Sequence, residues 1–237
     1  MKNIFNYFRV LAVGDIHGMY DKLINLIDMV HFDPDYDLLV FLGDYVDRGP
    51  DSVRCLQYVY DLKEIFGDSV VCLLGNHEVM MSSYYLRKRG ICNELMMDYA
   101  DSWFDNGGMK TFEQLEQLDK KTCNRLIDWV TDMPVSFRYK KYFFCHAGVD
   151  PDVPLDFQTD FDLLWARGEW KERYHGVDTV VVGHSPVQNL KKRSSFGKKL
   201  VVPQFFENRV IMCDTGAFMS GGRLSCVDVL SGKFWQA

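Results

Sequence analysis

Three short segments concentrate the residue types that bind cations and phosphate: Gly14-Asp15-Ile16-His17-Gly18, Gly43-Asp44-Tyr45-Val46-Asp47-Arg48-Gly49 and Gly75-Asn76-His77-Glu78. Each follows an apolar run. Carboxylate and amide oxygens beside imidazole nitrogens form a donor set suited to a divalent ion of borderline hardness, such as Mn, Fe or Zn. One Asp-Gly or Asn after a strand is ordinary turn chemistry. Three in succession, each opening on a ligand type, go beyond it. Two further histidines follow apolar runs in the same way, His146 after Phe143-Phe144-Cys145 and His184 after Val180-Val181-Val182-Gly183. Four of the six histidines (His17, His77, His146, His184) thus stand at strand ends, while His31 and His175 lie outside every such segment. The pattern implies a dinuclear metal site.

Convergence of these residues requires a particular scaffold. Phe8–Val13, Leu38–Leu42 and Val70–Leu74 are apolar runs of strand length, and Tyr20–Val30 and Ser52–Phe66 carry apolar stripes at helical spacing. This β-α-β-α-β order predicts an α/β fold with parallel strands joined by crossovers. The carboxyl ends of parallel strands share one edge, where ligands bind. Asp15, His17, Asp44, Asn76 and His77 are therefore expected together. Residues 82–130 are helical in propensity and broken at Asp105-Asn106-Gly107-Gly108, and Pro134 ends the stretch. Strands are expected again at Val135–Tyr139, Tyr142–Cys145, Thr179–Val182, Val210–Cys213 and Arg223–Asp228. The helical stretch, with Trp103 and Phe104, is either a plain packing pair or a cap over the site.

Composition narrows the function. A net charge of −6 argues against nucleic acid as a partner, while local arginines still permit a phosphorylated substrate. The seven cysteines show no C-x-x-C spacing, and none has an arginine six residues later, so the loop of cysteine-dependent phosphatases is missing. They read as small buried hydrophobes in a reducing compartment. Residues 1–13 lack the apolar core of a signal peptide, and no apolar run approaches twenty residues. A cytoplasmic protein with no membrane association is expected. The one basic run, Lys191-Lys192-Arg193 with Lys198-Lys199, is either a solvated loop or a substrate-steering element.

The blocks GDIHG, GDYVDRG, GNHE, HAG and GHS, in this order, resemble the PPP-type serine/threonine phosphatases of the calcineurin-like metallophosphoesterase superfamily. Trp165-Ala166-Arg167 and Asp214-Thr215-Gly216-Ala217 are similar to its compact bacterial and phage branch. The resemblance implies a β-sandwich flanked by helices in α-β-β-α layers, with one catalytic domain over residues 1–237. It implies two divalent ions, Mn²⁺ foremost with Fe or Zn as alternatives. Asp15 and His17 would bind the first, Asp44 would bridge both, and Asn76, His146 and His184 would bind the second. A hydroxide bridging the ions would attack phosphorus directly, with no phosphoenzyme. Arg48 and Arg167 would clamp the phosphate; the other reading of Arg167 is a surface turn with a local ion pair. His77 would be the general acid, supported by Asp47, whose other reading is a turn residue paired with Arg48. The implied partner is a phosphorylated protein or peptide, met by a monomer. Two alternatives stand beside it: a symmetrical dinucleoside polyphosphate hydrolase, and a non-catalytic scaffold of the same fold.

Overall fold

The structure is a computed structural model that describes residues 6–91, 94–190 and 201–237; Cys92 and the basic run at 191–199 lie outside them. Strands β1 (Arg9–Val13), β2 (Asp37–Phe41) and β3 (Val70–Cys72) alternate with helices α1 (Tyr20–Val30) and α2 (Ser52–Phe66). Both neighbouring strand pairs are parallel, β1 with β2 and β2 with β3, as the alternation requires. Helices α3 (Asn76–Lys88), α4 (Glu94–Ser102), α5 (Met109–Glu116) and α6 (Lys120–Thr131) fill the helical stretch. The chain continues through β4 (Ser136–Tyr139), β5 (Tyr142–Cys145), α7 (Asp160–Trp165), α8 (Trp170–Arg173) and β6 (Thr179–Val182). It ends with β7 (Gln204–Phe206), β8 (Val210–Met212), β9 (Ser225–Asp228) and β10 (Phe234–Gln236).

The strands form two five-stranded sheets, ordered β10-β9-β1-β2-β3 and β4-β5-β6-β8-β7. Side chains alternate across each strand, and this period of two builds three apolar layers. Val10, Ala12, Leu38 and Val40 of the first sheet meet Phe144, Val181 and Ile211 of the second, forming the interior of a sandwich. The intervening residues Leu11, Val13, Leu39 and Phe41 face α1, α2, α3 and α6. On the opposite outer face, Phe143, Val180, Val182 and Met212 pack with Leu163, Trp170 and Tyr174. The result is an α-β-β-α stack. Helix α2 buries Val53, Leu56, Val59 and Leu62, a stripe that holds it on the first sheet.

Four elements escape the sequence pattern. Strands β7 and β10 have three residues each and close sheet edges, and α7 and α8 have six and four residues. None is long enough to display a period.

Candidate active site

Six strand ends meet at one edge of the sandwich. From the first sheet come Asp15 and His17 after β1, Asp44 after β2, and Asn76 and His77 after β3; the second supplies His146 after β5, His184 after β6 and Asp214 after β8. All eight side chains are buried. The tips of β2 and β3 touch glycine to glycine. A Cβ on Gly43 would fall 2.7 Å from Gly75 Cα, and one on Gly75 would fall 2.3 Å from Asp44 N. The backbone around them is strained. His17, Asp44, Asp47, Arg48 and His184 are five of the eight non-glycine residues with positive φ among those described, each costing about 1–3 kcal/mol. Such strain persists only where the surroundings over-determine it.

Asp44 Oδ2 is the common point of two donor groups. On one side it lies 3.5 Å from His17 Nε2, which is 3.9 Å from Asp15 Oδ2. On the other it lies 3.4 Å from His146 Nε2, which is 2.9 Å from Asn76 Oδ1 and 3.0 Å from His184 Nδ1. Hydrogen bonds assign the tautomers. His17 Nδ1 donates to the Val46 carbonyl and His146 Nδ1 to the Leu42 carbonyl, both at 2.9 Å. Each Nε2 therefore carries a bare lone pair turned to the cluster. Burial presses the His17 imidazole down to about 3 and that of His184 well below its ordinary value, where the charge of Arg167 adds. Neutral imidazoles facing carboxylate and amide oxygens repel unless a cation lies between them. The residues fit two divalent ions, and three imidazole nitrogens beside oxygen donors suit Mn, Fe or Zn better than Mg or Ca.

The carboxylates differ. Burial works to raise Asp44, yet the surrounding histidines, His146 first, hold it well below the usual range. Burial raises Asp15 well above that range, with Asp214 and Asp44 adding to it, against the His184 N–H that donates to both its oxygens at 2.9 and 3.0 Å. Asp214 is pushed up to about 6, mainly by burial.

His77 also lies near Asp44, 4.0 Å from Oδ2, but its two nitrogens are engaged elsewhere. Nδ1 donates to Asp47 Oδ2 at 2.7 Å, and Nε2 accepts from Arg48 Nη2 at 3.0 Å. The Arg48 guanidinium lies over the Phe218 ring, 4.6 Å from its centroid, and that ring also meets His17 edge-on at 4.9 Å. Arg167 is exposed beside Ala147 and Ser185, on the His184 side of the site. His31 and His175 are exposed, and His31 ends α1 in a left-handed conformation. The six described cysteines are free and buried, and burial pushes the Cys72 thiol up to about 12, so none is a ready nucleophile.

Glu78, Asp214, Phe218 and Thr111 join the site without a role assigned to them from the sequence. Glu78 Oε1 accepts the N–H groups of Tyr45 and Val46, and Oε2 those of Asp44 and Gly75, at 2.7–3.2 Å. Its place inside GNHE was the available clue. Asp214 follows an apolar strand and precedes Thr215-Gly216, the same grammar as Asp15, and that signal was legible. For Phe218 and Thr111 there was none.

The calcineurin-like phosphoesterase family model matches residues 8–213. The chain belongs to this family. Calcineurin-like phosphoesterases use a dinuclear divalent metal centre, in keeping with two donor groups sharing Asp44. It is 28% identical over 229 residues to serine/threonine-protein phosphatase 2 of Salmonella typhimurium, covering 91% of this chain and 90% of that one. It is 34% identical over 146 residues to the symmetrical bis(5'-nucleosyl)-tetraphosphatase of Klebsiella pneumoniae, a match covering 61% of this chain and 44% of the relative. The crystal structure of a provisionally named diadenosine tetraphosphatase shares the fold with a TM-score of 0.68 at 22% identity, covering 100% of this chain and 95% of its own. The enzyme is thus a phosphoesterase. Among the described residues, no helix is long and apolar enough to cross a membrane.

Proposed function

We propose that the chain is a protein phosphatase acting on phosphoserine and phosphothreonine. The observation that carries this reading is the His77–Asp47 pair, joined at 2.7 Å beside the Asp44 donor groups. A serine or threonine alkoxide is a poor leaving group, and protonation of its oxygen in the transition state lowers the barrier most where the leaving group is worst. The near full-length match to the Salmonella phosphatase supports it.

In this reading Asp15, His17 and Asp44 hold one divalent ion, and Asp44, Asn76, His146 and His184 hold the other, with Mn²⁺ as the first choice. Such ions supply an activated water and offset the charge building on phosphorus. The protein does the rest. Arg48 exchanges its bond to His77 Nε2 for the substrate phosphate, and Arg167 presents a second guanidinium from the opposite side. His77, released by Arg48 and protonated at Nε2 from solvent, hands that proton to the departing oxygen and is left neutral. Asp47 keeps the ring oriented through Nδ1.

A second reading is symmetrical dinucleoside tetraphosphate hydrolysis, favoured by the 34% identity to the Klebsiella tetraphosphatase. Assays of Mn²⁺-loaded protein on phosphoserine and phosphothreonine peptides beside diadenosine tetraphosphate separate the two. The phosphopeptides are expected to give the higher kcat/KM. A preference of about tenfold or more for the dinucleotide transfers the assignment to the second reading.

A further inference from the structure

We propose that Trp103 and Thr111 are positioning residues for His77, acting through Asp47. The inference rests on the reading of His77 as the acid. The helical stretch between β3 and β4 grips the loop after β2. Trp103 directly follows α4, and Thr111 lies in the first turn of α5. Trp103 Nε1–H donates to Asp47 at 3.0 Å (Oδ2) and 3.2 Å (Oδ1), and Thr111 Oγ1–H donates to Oδ1 at 2.6 Å. Asp47 N–H in turn donates to Ser52 Oγ and Thr111 Oγ1. Asp47, Trp103 and Thr111 are all completely buried.

These contacts decide where the His77 ring can sit. A carboxylate on a short side chain rotates about two bonds, and a single bond to His77 would not hold it. Trp103 and Thr111 approach both oxygens and leave Oδ2 turned toward His77 Nδ1. The turn between α4 and α5 reinforces the grip. The Gly107 carbonyl accepts the Arg48 N–H at 3.4 Å, and a Cβ on Gly107 would stand 3.2 Å from Arg48 Cγ. Asp47 and Arg48 have φ of 71° and 67°, two consecutive left-handed residues that need such support. Buried polar partners with every lone pair satisfied rigidify a site. The donors come from positions 56 and 64 residues beyond Asp47.

The test removes donors, and Thr111→Val does so while keeping the side chain's shape. Trp103→Phe deletes the N–H, Thr111→Val deletes the hydroxyl, and Thr111→Ser restores it. Loosening an acid by a fraction of an ångström costs on the order of 10-fold. Each deletion is therefore expected to lower kcat on a phosphoserine peptide by about 10-fold, with a several-fold smaller loss on p-nitrophenyl phosphate, whose leaving group needs little protonation. KM and metal content should hold, and Thr111→Ser should recover most of the loss. Proton NMR of the zinc-loaded protein gives a readout independent of turnover: the downfield His77 Nδ1–H resonance should exchange faster in both deletions. Equal losses on the two substrates, or undiminished phosphopeptide turnover, overturn the proposal. If Trp103→Phe does not fold, the Thr111→Val and Thr111→Ser pair carries the test alone. His77→Asn is the control, expected to lose about 10²–10⁴ on the phosphopeptide and far less on p-nitrophenyl phosphate. Should that control ignore the leaving group, the acid reading itself fails; should only the Trp103 and Thr111 variants ignore it, this inference fails alone.

Discussion

Asp44 Oδ2 stands 3.5 Å from His17 Nε2 and 3.4 Å from His146 Nε2, so one oxygen belongs to both donor groups. Asp44→Asn keeps the size and removes the charge shared between the two proposed ions. Turnover should be lost, and elemental analysis should find both ions depleted; near-normal activity with two ions bound would refute the assignment. Asp214 offers a separate test through acid and base. Its folded value near 6 lies above its unfolded value of 3.8, so the fold disfavours its charged form. For this group the metal-free chain is most stable below pH 3.8 and loses that stability as pH rises through about 6. Asp214→Asn should therefore stabilise metal-free protein at pH 7.5 by up to about 3 kcal/mol, converging with the parent below pH 4. Equal denaturation midpoints at pH 7.5 would contradict this.

At the scale of elements, the site is a set of strand ends locked by one side chain at a helix start. Glu78 lies in the first turn of α3 and takes four backbone N–H groups from the tips of β2 and β3. It ties Asp44 and Asn76 into one rigid corner. Glu78→Gln turns one acceptor oxygen into an NH₂ that faces two backbone N–H donors. Leaving buried donors unpaired costs about 1–3 kcal/mol each, so this nearly isosteric change should destabilise the chain by about 3 kcal/mol and weaken metal binding. Chemical denaturation and metal titration of the variant would measure both. Retention of both stability and affinity would mean that the corner does not depend on Glu78.

Across the whole molecule, the two sheets are stitched together at the site. His146, from the second sheet, donates to the Leu42 carbonyl of the first, and the His184 N–H reaches Asp15. The proposed metal donors thus span both halves of the sandwich. Cations that bind only the folded arrangement stabilise it by mass action, by about 2.7 kcal/mol at 100 times Kd. EDTA should accordingly lower Tm by roughly 5–10 °C, and Mn²⁺ should restore it with a logarithmic dependence on concentration. A Tm indifferent to both would place the ions outside the fold's stability.

The sequence by itself determined the strands with two-sided apolar alternation, the helices of α2 and its kind, and the polar tips after β1, β2, β3, β5 and β6. Those are local patterns, written in neighbouring residues by the periods of strand and helix. Only the tertiary structure decided which tips face which, because that depends on how the second sheet packs across Val10, Val40 and Phe144. It also decided that Glu78 is a clasp and that Trp103 and Thr111 grip Asp47. Trp103 was visible in the sequence only as an aromatic beside a glycine pair, and Thr111 as a polar residue in a helix. A hydrogen bond between positions 64 residues apart has no period and no spacing rule. It exists because packing brings a helix start to a strand end, where a buried carboxylate must find donors.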